Sequence, residues 1–190
     1  MNQFEAGIIL WIQENLRGFM DGFWIFITTL GDHGILWIAL GIALLIFKKT
    51  RPIGFTVLIS LFFNLIITNL TLKDLIARER PFVTNTLIRP LVDGVKYNTS
   101  FPSGHTAGSF SAMFALYRWV PKKIGIPGLV LASLIAISRL YVGVHYPTDL
   151  IGGVIIGFIC SVWAYYLVRL VQKKIGEKKA NGKDKKAKVG

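Results

Sequence analysis

The 190-residue chain is 53% hydrophobic and only 17% charged, yet it carries a net charge of +12. That length suits one domain, and long apolar runs at this composition exclude an ordinary water-soluble globule and point to an integral membrane protein. Much of the positive charge lies in the lysine-rich tail after Gln172, so it is read as a topology signal and not as a nucleic-acid surface.

From the amino end, Phe4 to Leu16 spaces Phe4, Ile8, Ile9, Trp11, Ile12 and Leu16 among Glu5, Gln13 and Glu14. This pattern predicts an amphipathic helix lying on a membrane surface. Met1 to Leu16 has no basic segment followed by an apolar one and a cleavage site, so it is not read as a signal peptide. Phe23 to Leu30 is apolar but short, and Gly31-Asp32-His33-Gly34 breaks it. It predicts a second short helix or the lead-in to the first span.

Ile35 to Phe47 is the first span, closed by Lys48-Lys49-Thr50-Arg51-Pro52. It is shorter than the ~20 residues a crossing needs, so it is expected to draw on residues before Gly34. Ile53 to Leu72 is the second span, with Asn64 and Asn69 as interhelical hydrogen-bond partners. Lys73 to Phe101 is polar, holds Pro81 and Pro90, and reads as a loop outside the hydrocarbon. Thr106 to Val120 is the third span, Ile124 to Val144 the fourth and Leu150 to Val171 the fifth. Gly152, Gly153 and Gly157 put small residues at helical spacing for close packing. Cys160 is the only cysteine, which excludes an internal disulfide and a thiolate metal site. Trp11, Trp24, Trp37, Trp119 and Trp163 are candidates for the interfacial belt.

The expected fold is therefore all-α, a polytopic membrane helix bundle of five transmembrane helices, or six if Phe4 to Leu30 forms a further crossing. Residues 1–31 hold the amphipathic or short N-terminal helices, 32–171 the embedded bundle, and 172–190 a disordered Lys-rich tail. With five spans, Lys48-Lys49-Arg51, Lys122-Lys123 and the tail fall on one side, which the positive-inside rule makes cytoplasmic. The segments 73–101 and 141–149 then share the outer side. Five spans put the amino terminus outside. A sixth moves it inside and leaves the outer loops where they are.

Ionisable residues where hydrophobic segments meet are costly and mark function. Ser138-Arg139, His145 and Asp149 lie at such a junction. Asp149 is one helical turn beyond His145, close enough to hold an imidazole in one tautomer. Arg139 offers a planar fork suited to phosphate or carboxylate. Upstream lie Lys73 to Arg80-Pro81 and Pro102-Ser103-Gly104-His105. Together these complete, in order, the patterns K-x6-R-P, P-S-G-H and S-R-x5-H-x3-D, by which the chain resembles the type 2 phosphatidic acid phosphatase family, with its haloperoxidase-like core.

A phosphate or diphosphate brings two or more negative charges. Lys73, Arg80 and Arg139 can compensate them, and the amides of Ser103 and Gly104 with the Ser103 hydroxyl can add hydrogen bonds at a helix start. The resemblance implies that His145 is the nucleophile, forming a phosphohistidine, that Asp149 supports its cation, and that His105 protonates the leaving oxygen and then activates water. No carboxylate cluster looks like a two-metal site, so no metal and no cofactor is expected. His33 is read as an interfacial side chain, and Arg78 and Arg89 as solvated or headgroup-facing. Asn98-Thr99-Ser100 fits a short and common glycosylation pattern.

The resemblance implies a lipid phosphatase of the cell membrane that acts on the outer face, with its C-terminus cytoplasmic. The favoured substrate is undecaprenyl diphosphate, with phosphatidylglycerol phosphate and phosphatidic acid as alternatives, and the loop Phe82 to Ser100 is expected to shape headgroup selection. The expected partners are the bilayer and the lipid phosphate itself. A vanadate-dependent haloperoxidase and a non-catalytic lipid-binding protein are the competing classes. Membrane spans and short length disfavour the first, and the presence of both His105 and His145 disfavours the second.

Overall fold

A computed structural model describes residues 3–93, 95 and 99–187. These are helical, with no strand among the described residues. The helices are α1 (Gln3–Asn15), α2 (Asp21–Thr29), α3 (Ile35–Ile46), α4 (Arg51–Asn64), α5 (Lys73–Ile76), α6 (Pro81–Thr84), α7 (Gly104–Tyr117), α8 (Lys122–Tyr141) and α9 (Pro147–Ala187). A 3-10 turn, Asp32–Gly34, joins α2 to α3, and a π-helical segment, Leu65–Leu72, carries α4 into α5. Wide π turns are rare and gather at functional sites; this one ends at Lys73.

Helix α7 is the axis, packed against α4, α8 and α9. Ten of its 14 residues are buried, most of them small: Ala107, Gly108, Ser109, Ser111, Ala112 and Ala115. On α9, a Cβ at Gly153 would lie 2.8 Å from Thr106 Cβ, and one at Gly157 would lie 2.8 Å from Phe110 Cβ and 2.9 Å from the Ser111 amide. The expected small-residue contact is thus the α7–α9 seam. Apolar side chains line the outside, including Ile38, Ile42 and Ile46 of α3, Phe55 and Phe62 of α4, and Ile151, Ile155 and Phe158 of α9. Such a surface is made for lipid.

The five or six expected spans are not all long apolar helices. Among the described residues, four helical stretches are long and apolar enough to cross a membrane: Asp21–Ile46, Arg51–Thr84, Lys122–Tyr141 and Pro147–Lys178. The expected third span is α7, whose 14 residues reach about 21 Å, short of the ~30 Å hydrocarbon core. Enclosed by other helices, it needs no lipid-facing belt. The first crossing does draw on residues before Gly34, but through a break, because His33 (φ 52°) and Gly34 (φ 67°) are left-handed. The C-terminal helix extends to Ala187, through the stretch that composition marks as a disordered tail. Lys, Ala and Glu are good helix formers once preceding turns supply the nucleus.

Trp37 departs from its expected place in the interfacial belt. It is buried, and its indole N–H donates to Ser109 Oγ of α7 at 2.9 Å. Asn64 is buried and accepts from Thr68 Oγ1 one turn further on (2.8 Å), within its own helical run and not from a neighbour.

Gly157→Leu should separate α7 from α9 and cost roughly 1–3 kcal/mol. The check is thermal unfolding in detergent, where the variant should melt below the unsubstituted protein.

Candidate active site

The three sequence motifs converge at the same end of the bundle. Lys73 opens α5, and Ala77 closes it in a left-handed conformation (φ 47°). The chain turns there, Arg80 is extended, and Pro81 starts α6. Ser103 caps α7, its Oγ accepting from the Thr106 amide (3.4 Å) and hydroxyl (3.0 Å). Arg139 lies in the last turn of α8, and Gly143 (φ 79°) turns the chain toward His145 and the start of α9. The three basic clusters, by contrast, lie at the remote helix ends: Lys48, Lys49 and Arg51 between α3 and α4, Lys122 and Lys123 opening α8, and the C-terminal part of α9.

His145 is 2% exposed and Asp149 0%. His145 Nδ1 donates to Asp149 Oδ2 at 3.4 Å, while the same oxygen accepts the Tyr146 amide at 2.8 Å. Arg80 Nη1 approaches His145 Nε2 at 3.4 Å and donates to the Val144 carbonyl at 2.9 Å. An arginine can only donate. Nε2 therefore carries the lone pair, in the tautomer that the Asp149 contact also favours. Burial first, and then the charges of Arg139 and Arg80, hold the His145 imidazole well below the ordinary histidine range. It is neutral at pH 7, with a nucleophilic nitrogen turned toward an arginine.

Arg80 and Arg139 are 7% and 5% exposed. Arg139 Nη1 donates to the Thr28 hydroxyl, and its Nε is a buried donor with no hydrogen-bond partner among the described residues. A Cβ at Gly104 would sit 3.4 Å from Asn69 Oδ1 and 3.7 Å from Lys73 Nζ, which places the amine over the start of α7. One expected donor is corrected: the Ser103 amide is engaged with the Asp149 carbonyl at 3.1 Å. The Ser103 hydroxyl also serves as the helix cap, and its own proton remains free to donate. The cradle therefore rests on the Gly104 end of α7, that hydroxyl and the cationic side chains.

Several residues outside the expected set complete the site. Arg78, read from sequence as solvated, is a structural clamp. It donates to Asp149 Oδ1 (2.6 Å), Thr148 Oγ1 (2.7 Å) and Glu5 Oε2 (2.7 Å), and it stacks 4.1 Å above the Tyr146 ring. Glu5, buried in α1, also accepts from the amide and hydroxyl of Thr148 (2.9 and 2.6 Å). Burial alone would raise its carboxyl, but the hydrogen bonds from Thr148 and Arg78 prevail and hold it below the usual carboxylate value. So α1 does not turn its polar side to water as a surface helix would. Glu5, Gln13 and Arg17 grip the protein, through contacts to Leu87, Arg89 and Tyr141, while Phe4 and Trp11 face outward. The signal in the sequence was a carboxylate, Glu5, set among the apolar residues of the helix's first turns. His105 Nε2 meets Asp32 Oδ1 at 2.8 Å, a contact between motif and N-terminal turn that local spacing could not reveal.

A groove of about 510 Å³ begins at Lys73, Gly104 and His105 and continues between Trp37 and Ile38 of α3 and Leu58, Leu61 and Phe62 of α4. Its head is cationic and its body apolar. A larger hollow, about 750 Å³, is lined by α9 residues alone and holds none of the motif side chains. His33 is exposed and lies at the mouth of the first groove. Asn98, of the glycosylation pattern, lies outside the described residues.

A helical membrane bundle that gathers a buried imidazole, two buried arginines and a helix start at one end defines an anion-handling site. The model of the PAP2 superfamily matches residues 51–173, and the chain belongs to that superfamily. It is 33% identical over 156 residues to an undecaprenyl-diphosphatase of Sulfolobus acidocaldarius, covering 81% of this chain and 73% of the relative. Its fold is similar to a crystal structure of a transmembrane PAP2-type phosphatidylglycerolphosphate phosphatase from Bacillus subtilis, with a TM-score of 0.70, 26% identity, and coverage of 91% of this chain and 86% of that one. It is also similar to Aquifex aeolicus LpxE, with a TM-score of 0.72, 26% identity, and coverage of 85% and 94%.

Arg78→Ala should lower phosphatase turnover about 10- to 100-fold by loosening Asp149 behind His145. Arg78→Lys should not restore it, since one ammonium cannot replace the fork that reaches Asp149, Thr148 and Glu5 together. Steady-state phosphate release by both variants is the check.

Proposed function

We propose that this protein is a lipid phosphatase that hydrolyses a phosphate or diphosphate group of a membrane lipid through a phosphohistidine on His145. The observation that carries the proposal is the lone pair on His145 Nε2, 3.4 Å from Arg80 Nη1, with the buried Arg139 within electrostatic reach of the same ring. The apolar groove leading from Lys73 and His105 supports a substrate whose chain stays beside the bundle while its headgroup enters.

In the first step the Nε2 lone pair attacks phosphorus, and the P–O bond to the leaving group breaks. His105 gives its proton to the departing oxygen. Lys73, Arg80, Arg139, the Ser103 hydroxyl and the Gly104 end of α7 hold the equatorial oxygens as charge builds on them. Asp149, clamped by Arg78, supports the cationic ring that results. In the second step His105 takes a proton from water, the hydroxide attacks phosphorus, the P–N bond breaks, and neutral His145 returns. The charge needed at phosphorus comes from fixed side chains, so the proposed hydrolysis requires no divalent metal.

Undecaprenyl diphosphate is the favoured substrate, supported by the name of the Sulfolobus relative. The Bacillus structure supports phosphatidylglycerol phosphate as the alternative. The basic clusters at the helix ends remote from the site favour a cytoplasmic C-terminus and an active site on the outer face of the cell membrane.

Purified protein in detergent with EDTA should release phosphate from prenyl diphosphates, and a panel that adds glycerolipid phosphates ranks the substrates. His145→Ala should remove turnover to background, and Asp149→Asn should lower it less severely. Near-unchanged turnover in His145→Ala would exclude it as the nucleophile, and a strict requirement for divalent metal would exclude this mechanism.

A further inference from the structure

The family match starts at residue 51, yet two of the side chains in the cavity are held from before it. Thr28, on α2, accepts from Arg139, and Asp32 meets His105 Nε2 at 2.8 Å. The turn that does this is built for close approach. A Cβ at Gly31 would lie 2.7 Å from His105 Cδ2 and 2.8 Å from Ile135 Cγ2, so only a glycine lets the backbone rest on the imidazole. His33, directly after Asp32, is held left-handed at φ 52°, a conformation unfavourable for a non-glycine residue. The turn thus carries local strain in the place where Asp32 reaches His105.

We propose that Asp32 is a positioning residue for the leaving-group step: it fixes the tautomer of His105 and favours the protonated form of that ring. The proposal rests on the assignment of His105 as general acid. A carboxylate can only accept, so Nε2 carries its hydrogen toward Asp32, and Nδ1 is the nitrogen left for the substrate. As acid, Nδ1–H passes its proton to the leaving oxygen as the P–O bond breaks. Nδ1, now bearing a lone pair, then takes a proton from the attacking water. Throughout, Nε2–H stays with Asp32.

The charges around His105 explain why a carboxylate is needed. Burial first, and then Arg139 from α8 and Lys73 from α5, push the His105 imidazole down to about 4, with the nearby His145 also set against a charged ring, and Asp32, with His33 beside it in the turn, is the group that acts in the opposite direction. Asp32 is to His105 what Asp149 is to His145. The site holds two imidazole–carboxylate pairs, one for attack and one for departure.

Leaving-group dependence separates this role from a structural one. The full-length protein in detergent is assayed with dioleoyl phosphatidic acid, whose alkoxide needs a proton to leave, and with p-nitrophenyl phosphate, whose phenolate does not. Asp32→Asn should lower kcat on phosphatidic acid about 10- to 100-fold, part of a general acid's usual contribution. KM should be nearly unchanged, and the loss on p-nitrophenyl phosphate should be several-fold smaller. The alkaline limb of its pH profile should move to lower pH, because the acid form of His105 is lost sooner without its carboxylate. Asp32→Glu should recover part of both effects. Equal losses on the two substrates with an unmoved limb, or wild-type turnover, would overturn the role. Should Asp32→Asn not fold, Asp32→Ser is read by the same ratio. His105→Ala is the control for the underlying assignment: if it stays active, the general-acid role of His105 fails, whereas an inactive His105→Ala beside a normal Asp32→Asn refutes only the part given to Asp32.

Discussion

The structure depends on a costly concentration of positive charge. Arg80 and Arg139 are almost wholly buried and lie within electrostatic reach of the amine of Lys73. Among the described residues, neither Lys73 nor Arg139 has a carboxylate at ion-pair distance. Buried cations without counterions weaken a fold, so a chain keeps them where an anion is to be bound. Burial first, and then the same charges, keep His145 neutral, as the proposed attack requires. In the proposed mechanism, affinity for phosphate and nucleophilicity of the imidazole share one electrostatic origin.

The remainder of the fold holds these charges in place. Helix α7 is made of small residues so that α4, α8 and α9 can close around it, with Gly153 and Gly157 permitting the tightest seam. That closure sets the start of α7 beside Asp149 through the Ser103 amide, and so couples the capping serine to the histidine–aspartate pair. On the other flank, Arg78 ties Asp149 to Glu5 of α1. A helix that would otherwise only rest against the bundle thereby becomes part of the support for the His145–Asp149 pair. The stability of α1 and the geometry of His145 are linked through two ion pairs that share one guanidinium.

Much of the site was legible in the sequence because its chemistry comes in short motifs. Lys73, Arg80, His105, Arg139, His145 and Asp149 could be picked out by type and spacing, and the bundle could be read from apolar runs. What could not be read is long-range. Arg78 looks solvated because nothing local reveals that Glu5 and Asp149 will close on it from either side. Asp32 looks like a helix breaker because its partner lies in α7. The Ser103 amide looks free until Asp149 is seen behind it. The length of each crossing could not be read either: an enclosed helix such as α7 runs between the site end and the remote end in only 14 residues. Trp37 belongs with these, since its burial depends on Ser109 of another helix.

The central claim is that one anion, held by cations from separate segments, sits against His145 Nε2 with His105 on its far side. A structure of the protein with orthovanadate tests this most directly. The account predicts a single vanadate bonded to His145 Nε2, contacted by Lys73, Arg80, Arg139 and the Ser103 hydroxyl, with His105 facing its apical oxygen. Vanadate bound elsewhere, or bound in this cavity but away from His145 Nε2, would contradict it.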